Sequence, residues 1–475
     1  MSEKPPEHDV LVIGTGGAGV AAAIQAANMG ATVAIVEAGV LGGTCVNVGC
    51  IPSKNLIEAA AHYHDARRGF PGIAPCEPTL DWPAVLQQKE ALTGELRHAR
   101  YADVLQALPG VTVLRGRAEL VDAGTVRVGD AIHTARRIIV ATGTSPELPP
   151  IEGLDAVEPL TSTSAMELQV LPESLIVLGA GSVGLELGQM FARFGVRVIV
   201  LELQPRILPT EEPAIADRLR GYLEAEGLEI HTGVRASRVA RSGGQVVVRV
   251  EQGSMAGEFR AERILAATGR TPNTRDMGLE RAGVALTPRG FVQVDAAMCS
   301  SNPRILAAGD VTGGPGYVYV AAAGGRVAAE NAVNSLRGDR LTAPRQLDLT
   351  TVPGVTFTSP QVASVGILES SARAAGRDVQ VTSLTLDQVP RALVNHDTRG
   401  LVMVVAEAGS GRLVGFHAVA PHAGEMLGEA TLAIRFGLTA ADLTGMLHAY
   451  LTWGEGVRLA AQGFTADVAR LSCCA

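Results

Sequence analysis

The chain has 475 residues, is 47% hydrophobic and carries a formal net charge of −8, so it can bury several cores and predicts two to four domains. Its charges are interspersed, which gives no reason to expect a nucleic-acid partner. The start, MSEKPPEHD, has no secretory pattern, and no window holds 18 uninterrupted apolar residues, so we expect no membrane span and a cytoplasmic location. Cysteines there stay reduced unless they are catalytic or bind metal.

The first predicted unit is a strand, turn, helix and strand over residues 9–37. The strand 9–14 leads into a glycine-rich turn, an alanine-rich helix runs to about Met29, and the second strand runs from Gly30 to Glu37. The three turn glycines permit a tight turn, close approach of a pyrophosphate and close helix packing, while the terminal carboxylate accepts a hydrogen bond from a ribose hydroxyl. These glycines are Gly14, Gly16 and Gly19.

Two cysteines follow directly in GTCVNVGCIPSK, residues 43–54. On a straight helix, Cys45 and Cys50 would point roughly 140° apart, with Cα atoms beyond the roughly 7 Å reach of a disulfide. A bridge therefore requires a distorted turn, which Gly49 and Pro52 favour. Taken alone, the spacing fits two small buried hydrophobic side chains equally well. The position of this cysteine pair beside a dinucleotide fingerprint favours a redox role, in which the pair accepts electrons from the bound cofactor.

The fingerprint returns over residues 174–202, about 165 positions further on. It again has a strand, a glycine turn, a helix to Phe194 and a strand ending on an acid, Glu202. A lone glycine motif is weak evidence, but two complete copies predict that the chain binds two dinucleotides. The turn glycines of the second copy are Gly179, Gly181 and Gly184.

Short motifs end other predicted strands, and one of these motifs occurs twice. Residues 138–143 and 264–269 are apolar and end in Ala-Thr-Gly, which singles out Thr142, Gly143 and Gly269 as candidate cofactor contacts. A further strand ends in Gly309-Asp310. An acid there can reach a ribityl or ribose hydroxyl, although in isolation the pattern fits an ordinary strand-ending turn equally well.

These elements predict an α/β protein with two Rossmann-like dinucleotide-binding domains. Residues 1–147 and 272–342 form the first, and residues 148–271 form the second, inserted into it. Residues 345–475 alternate in polarity and then become helical, which predicts an α+β domain.

At this point the chain resembles the pyridine nucleotide–disulfide oxidoreductases over essentially its whole length. The resemblance implies an FAD domain, an inserted NAD(P) domain and a C-terminal dimerisation domain. It implies that Cys50 is the thiolate nearest the flavin, that Cys45 is the interchange thiol, that Lys54 pairs with Glu186 beside the flavin ring, and that Asp310 binds FAD. It also assigns Gly43, Thr44 and Lys54 to the flavin site.

The segment His448-Ala-Tyr450-Leu-Thr-Trp-Gly-Glu455 identifies a branch of that family. Disulfide-reducing members have a catalytic histidine where this chain has Tyr450, and without that base the release of a dithiol is handicapped. A tyrosine here and a C-terminal Cys473-Cys474 pair resemble the mercuric reductase branch.

This branch resemblance implies a reaction and its partners. NAD(P)H would reduce FAD, FAD would reduce the Cys45–Cys50 disulfide, and the reduced pair would bind Hg(II) and yield Hg(0). Hg(II) is soft and prefers thiolates, so it would arrive as thiol complexes and pass from Cys473 and Cys474 to Cys45 and Cys50. The resemblance implies a homodimer whose active site is shared between subunits.

Three departures qualify this interpretation. The Cys-x-x-Cys metal-capture domain common in the branch is not in this sequence, and Pro159-Leu160 stands where some members have an active-site tyrosine. Glu202 ends the strand where many relatives carry basic or small residues. A carboxylate there accepts from a 2′-hydroxyl and repels a 2′-phosphate, so we expect NADH to be accepted although the family habit is NADPH.

Other functions stay open on the residues alone. A dihydrolipoamide dehydrogenase-like or other disulfide reductase would use the same framework. The tail could relay electrons to a protein partner, and a non-catalytic thiol protein could bind metal without turnover. We expect the separate Cys76 and Cys299 to be structural or incidental.

Overall fold

The computed structural model describes residues 6–253, 255–338 and 343–470. The predicted metal-delivery residues Cys473 and Cys474 lie outside the described residues. The strands are β1 His8–Ile13, β2 Val33–Glu37, β3 Val111–Arg115, β4 Ala118–Leu120, β5 Thr125–Val128, β6 Ala131–Val140, β7 Thr144–Pro146, β8 Ser174–Leu178, β9 Arg197–Glu202, β10 Glu229–Thr232, β11 Arg235–Ser242, β12 Gln245–Gln252, β13 Met255–Ala261, β14 Arg263–Ala266, β15 Arg270–Pro272, β16 Ile305–Ala307, β17 Gly354–Thr356, β18 Gln361–Gly366, β19 Val379–Thr385, β20 Leu401–Glu407 and β21 Leu413–Ala420. The α-helices are α1 Gly17–Asn28, α2 Gly43–Val48, α3 Cys50–Arg68, α4 Trp82–Arg97, α5 Asp103–Ala107, α6 Ser162–Ala165, α7 Ser182–Arg193, α8 Pro213–Ala225, α9 Val318–Arg337, α10 Glu369–Ala374, α11 Pro390–Val394, α12 Ala423–Arg435, α13 Ala440–Gly445 and α14 Glu455–Gln462.

The chain divides into two compact units. The first comprises residues 1–55, 83–147 and 269–348. Its sheet has the order β3-β2-β1-β6-β5-β4, with β16 also paired to β6. The strands β3, β2, β1, β6 and β16 run parallel, so their carboxyl ends meet at one edge.

Both faces of this sheet are buried, as expected for a parallel sheet with apolar strands. Successive residues of β1 alternate between two cores: Val10 and Val12 pack on one side, and Leu11 and Ile13 pack on the other. The first of these cores includes the alanine-rich face of α1, which packs closely against α9. The small side chains of α1 let these two helices approach each other over the sheet.

The second unit comprises residues 56–82, 148–268 and 349–475. It holds a parallel sheet of order β10-β9-β8-β14, an antiparallel sheet β11-β12-β13 and an antiparallel sheet of order β17-β18-β21-β20-β19. The predicted α/β class, with two Rossmann-like sheets and a C-terminal α+β part, is confirmed. The predicted division into three domains, with its boundaries, stays a prediction. Among the helices of the described ranges, none combines the length and apolar content needed to cross a membrane.

Candidate redox and dinucleotide sites

The first glycine turn joins β1 to α1 at the carboxyl edge of the parallel sheet. Gly14 has φ +108°, and a methyl group there would overlap the carbonyl oxygen of Ala141 at the end of β6. A methyl group at Gly19 would overlap the carbonyl oxygen of Gly14. Gly16 is the N-cap of α1 and offers no side-chain cap. The first backbone N–H groups of α1 are therefore left for an anion, which favours a phosphate at this helix end.

The second turn repeats this geometry in the other unit. Gly179 has φ +100°, a methyl group there would lie 2.6 Å from the carbonyl oxygen of Ala267, and a methyl group at Gly184 would overlap the carbonyl oxygen of Gly179. Gly181 is the uncapped N-cap of α7. Apart from its chain neighbours, no atom of the described residues lies within 4 Å of a Cβ built at Gly181. Both turns fit the pyrophosphate of a dinucleotide.

An acid stands opposite each turn, at the end of the second strand. The carboxylate of Glu37 accepts hydrogen bonds from the hydroxyl of Thr15 and from the backbone N–H of Gly39 (2.7 Å). The carboxylate of Glu202 accepts from the backbone N–H groups of Ala180 and Gln204, both at 2.7 Å. These bonds fix the carboxylates beside the turns and leave further lone pairs for ribose hydroxyls. The two acids therefore fit the ribose contacts predicted from the sequence.

A cavity of about 350 Å³ opens beyond the end of β2. Its size suits a nucleoside, since small-molecule sites begin at about 300 Å³. It is lined by Gly39, Val40, Leu41, Gly94, Arg97, His98, Ala102 and Arg115.

The two cysteines of the motif lie on either side of a helix break. Cys45 is in α2 and Cys50 begins α3, and between them Gly49 leaves the helical region with φ −125° and ψ −116°. A methyl group at Gly49 would lie 2.9 Å from the carbonyl oxygen of Thr44, so the break is too tight for a side chain. The predicted distorted turn is confirmed.

This helix pair packs directly on the first fingerprint turn. Gly43 begins α2 with φ +64°, and a methyl group there would lie 2.5 Å from the Cα atom of Gly16. Helix α2, which carries Cys45, therefore lies against the uncapped end of α1.

The electrostatics distinguish the two thiols. Cys45 is partly buried and Cys50 is exposed. A hydrogen bond to Cys50, followed by burial and the charge of Cys50, raises the pKa of Cys45 well above its usual range. The charge of Lys54 acts in the opposite direction. The Cys45 thiol therefore holds its proton more strongly than an ordinary cysteine, and the role predicted for Cys50 stays a prediction. Burial and the charges of both cysteines raise the pKa of Tyr101, which lies beside the pair.

The ends of β6 and β16 add polar groups to the same edge of the sheet. The hydroxyl of Thr142 donates to the carbonyl oxygen of Asn273 at 2.8 Å, and Gly143 follows with φ +66°. Asp310 starts a 3₁₀ turn after β16 and accepts a hydrogen bond from the hydroxyl of Thr144 at 3.3 Å. Gly269 has φ +153° and accepts a backbone hydrogen bond from Glu147.

Arg270 is a site residue that the sequence interpretation missed. Its Nε and Nη2 atoms donate to the hydroxyl and the carbonyl oxygen of Thr144, both at 2.7 Å. Burial lowers the pKa of Arg270, against the charges of Asp310 and Cys50. The guanidinium is therefore within electrostatic reach of the exposed redox thiol. The sequence feature that could have pointed to Arg270 is that Thr144 and Arg270 each directly follow an Ala-Thr-Gly motif.

Other predicted residues lie in the second unit. Glu186 is 5% exposed on α7, and its Oε1 accepts from the backbone N–H of Phe357 at 2.8 Å. Its pairing with Lys54 stays a prediction. Tyr450 is 49% exposed in the segment after α13. Nearby His448 is held by Glu429, with 2.5 Å between Nε2 and Oε1.

Comparisons with known proteins agree with this fold. A sequence profile described as pyridine nucleotide-disulphide oxidoreductase matches residues 8–325, and the profile of that family's dimerisation domain matches residues 352–461. The fold and the site define an oxidoreductase that uses FAD and a reduced pyridine nucleotide, and the chain belongs to the pyridine nucleotide-disulphide oxidoreductase family. The dimerisation domain suggests a homodimer.

Particular relatives narrow the comparison. The mercuric reductase of Streptomyces lividans is 46% identical over 482 aligned residues that cover all of both chains. The mercuric reductase of Acidithiobacillus ferrooxidans is 45% identical, over 99% of this chain and 85% of its own. Among solved structures, the HOCl-induced flavoprotein disulfide reductase RclA from Escherichia coli has a TM-score of 0.84 and 29% identity, covering 96% of this chain and 99% of its own.

Proposed function

We propose that this protein reduces Hg(II) to Hg(0) at the expense of NADH or NADPH. The observation that carries the proposal is the pair of thiols, Cys45 and Cys50, held at a helix break against the first fingerprint turn. The full-length similarity to mercuric reductases supports the choice of substrate. Two thiolates at one point suit a soft, two-coordinate metal ion.

The first step is a ligand exchange at the cysteine pair. An incoming Hg(SR)₂ complex gives up two RSH molecules, which carry away the two protons of the pair, and Hg(II) is bound by both protein sulfurs. Cys50 begins the exchange because it is exposed, and the partly buried Cys45, whose pKa is raised, follows. Arg270 favours the thiolate form of Cys50 by its positive charge.

The second step delivers two electrons. FAD, when bound, supplies two-electron transfer from NAD(P)H to the site. The two electrons convert Hg(II) to Hg(0), which leaves, and the sulfurs remain on the protein as thiolates. No proton has to reach a leaving dithiol, which is consistent with Tyr450 in place of the base that disulfide-reducing relatives use. We assign to Cys473 and Cys474 the delivery of Hg(II) to Cys45 and Cys50 of the partner subunit.

The assay is NAD(P)H oxidation by the purified holoenzyme with Hg(II) and excess thiol, with Hg(0) trapped from the gas stream. One Hg(0) should appear for each NAD(P)H consumed. Cys45→Ala and Cys50→Ala should each abolish Hg(0) release. Cys76→Ser is the matched control, because this exposed thiol contacts only the carbonyl oxygen of Ala66 among the contacts the structure gives it and should leave turnover unchanged.

A second function, reduction of a disulfide, is favoured by the likeness to the E. coli disulfide reductase. It is separated from the first by turnover of lipoamide, glutathione disulfide or an oxidised protein in the same preparation. Oxidation of NAD(P)H by a disulfide, without trapped Hg(0) from Hg(II), would replace the mercury proposal.

The thiol assignment has its own spectral test. On partial reduction, the holoenzyme should show a long-wavelength charge-transfer band between the Cys50 thiolate and the flavin. Cys50→Ala should abolish the band, whereas Cys45→Ala should retain or strengthen it. The reverse pattern would overturn the assignment.

A further inference from the structure

The amino end of β1 brings together two imidazoles and a carboxylate that the proposed reaction does not use. The ligand atoms of Glu7, His8 and His133 all lie within 4.8 Å of one another. His8 is the first residue of β1 and His133 lies on the neighbouring strand β6. We propose that these three side chains bind one Zn(II) ion.

The local hydrogen bonds hold the three donors together. The backbone N–H of Glu7 donates to the hydroxyl of Thr134 at 3.1 Å, which fixes the residue before β1 against β6. Oε2 of Glu7 lies 3.4 Å from Nδ1 of His133. The rings of His8 and His133 are 6.3 Å apart between centroids. Because both histidines are partly buried on paired strands, the imidazoles approach each other without a loop having to fold over them.

The carboxylate of the neighbouring Asp9 is already hydrogen-bonded to other residues. Asp9 accepts hydrogen bonds from the backbone and hydroxyl of Thr32 and from Nη1 of Arg136. Glu7, in contrast, is tied by its backbone and has a side chain that is 43% exposed, so its carboxylate can turn toward a cation. The negative charge at this point is therefore available to a metal ion.

The donor set selects the metal. Two histidines and one glutamate are a known zinc ligand set, with a water completing the tetrahedron. In such a tetrahedron, donor atoms lie about 3.3 Å apart, so the present separations must contract by about 1.5 Å at most, within the range of side-chain rotation. Nitrogen and oxygen donors without sulfur favour a borderline cation over Hg(II), which prefers thiolates.

The site is separate from the redox pair. It lies at the amino end of β1, whereas the fingerprint turn begins at Gly14, beyond the carboxyl end of the same strand. Six strand residues span about 20 Å. Zinc bound here would cross-link the start of β1 to β6 without touching the proposed reaction, and the proposal does not depend on mercury reduction.

The test is a Zn(II) titration of the full-length holoenzyme after its thiols are blocked with N-ethylmaleimide, in competition with a chromophoric chelator. We expect one ion bound with a micromolar or tighter Kd. His8→Gln and His133→Gln should each weaken it at least about 10-fold, because each removes one metal bond. His62→Gln is the matched control, because that exposed histidine pairs only with Glu58 on a helix, at 3.3 Å, among the ion pairs the structure gives it.

Two further measurements keep the inference open to refutation. Glu7→Gln is an exposed change that should fold normally and should also weaken Zn(II) binding. X-ray absorption at the zinc edge should show nitrogen and oxygen neighbours with imidazole scattering. Sulfur neighbours, unchanged affinity in the two histidine variants, or no binding below about 100 μM Zn(II) would each overturn the site.

Discussion

Alanine at either of two glycines of the second turn, three residues apart, should impair the protein differently. One substitution should lower the stability of the fold, and the other should weaken nucleotide binding. In Gly184→Ala, the new methyl group would overlap the carbonyl oxygen of Gly179 and lie 3.3 Å from Cγ1 of Val177. That carbonyl cannot move freely, because the N–H of Gly179 is bonded to Leu201 at 2.8 Å. In Gly181→Ala, the methyl group meets no atom of the described residues within 4 Å beyond its chain neighbours, and φ is an ordinary −76°.

The expected magnitudes follow from these distances. Alanine in place of glycine inside a helix contributes about 1 kcal/mol of stability, but overpacking against fixed backbone costs about 3 kcal/mol or more. Gly184→Ala should therefore lose about 2 kcal/mol, or about 2–4 °C in Tm for a chain of this length. Gly181→Ala should keep its Tm within about 1 °C. Its methyl group would stand where the nucleotide phosphates approach α7, and a steric cost of about 2 kcal/mol would raise the KM for NAD(P)H about 30-fold.

The assay compares Tm, flavin content and the kcat/KM for NADH and NADPH in both variants and the parent. Gly16→Ala is the matched change in the first turn, where the nearest atom is the Cα of Gly43 at 3.9 Å. It should lower flavin content and leave the KM for NAD(P)H unchanged in the loaded fraction. A Gly181→Ala enzyme with normal KM, or with the same loss of Tm as Gly184→Ala, would refute the assignment of the second turn to the nucleotide.

Three other outcomes are expected. Burial raises the pKa of the Glu211 carboxyl to about 7 from 4.5, so the folded protein keeps a proton that the unfolded chain releases. The free energy of unfolding therefore falls by about 3 kcal/mol as pH rises from the unfolded to the folded pKa. The Tm of Glu211→Gln should rise relative to that of the parent from pH 5 to 8, and parallel Tm curves would contradict this. Glu202 should make NADH at least comparable to NADPH in kcat/KM, and a preference for NADPH above about 100-fold, near 2.7 kcal/mol, would exclude that role. We expect Tyr450 to be a catalytic residue that acts through its hydroxyl, so Tyr450→Phe should lower mercury turnover measured as trapped Hg(0), and a normal rate would contradict this.

Features whose signal lies in one short stretch could be predicted from the sequence. Each dinucleotide turn carries its strand, glycines, helix and acid within about 29 residues. The break between Cys45 and Cys50 was predictable because a disulfide between residues five apart cannot form on a straight helix and Gly49 permits a bend. The predicted second strand began too early, at Gly30 rather than Val33. Gly30 has φ +82°, so it reverses the chain after α1 instead of extending it.

Contacts between distant residues could not be predicted in the same way. Arg270 bonds to Thr144 across 126 positions, because β15 pairs with β7. Both residues directly follow an Ala-Thr-Gly motif, but that position alone does not show that the two side chains meet. Tyr101 was missed for the same reason, since only the folded chain brings it beside the cysteines. Thiolate chemistry depends on these neighbours, so the sequence identified the reacting atoms better than the charges around them.

The duplicated turn also explains how one fold can hold two nucleotides with different fates. The glycine geometry is the same in both copies, so the phosphate contacts offered by α1 and α7 are equivalent. The surroundings differ: α2 packs on the first turn through Gly43 and Gly16, whereas the position around Gly181 is open within 4 Å of the described chain beyond its neighbours. A turn covered by its own redox helix suits a cofactor that stays bound, and an open turn suits a substrate that must leave after each hydride transfer. Under the proposed assignment of flavin to the first turn and of the nicotinamide nucleotide to the second, the difference in their exchange would arise from α2, the helix that also carries Cys45, and not from the fingerprint itself.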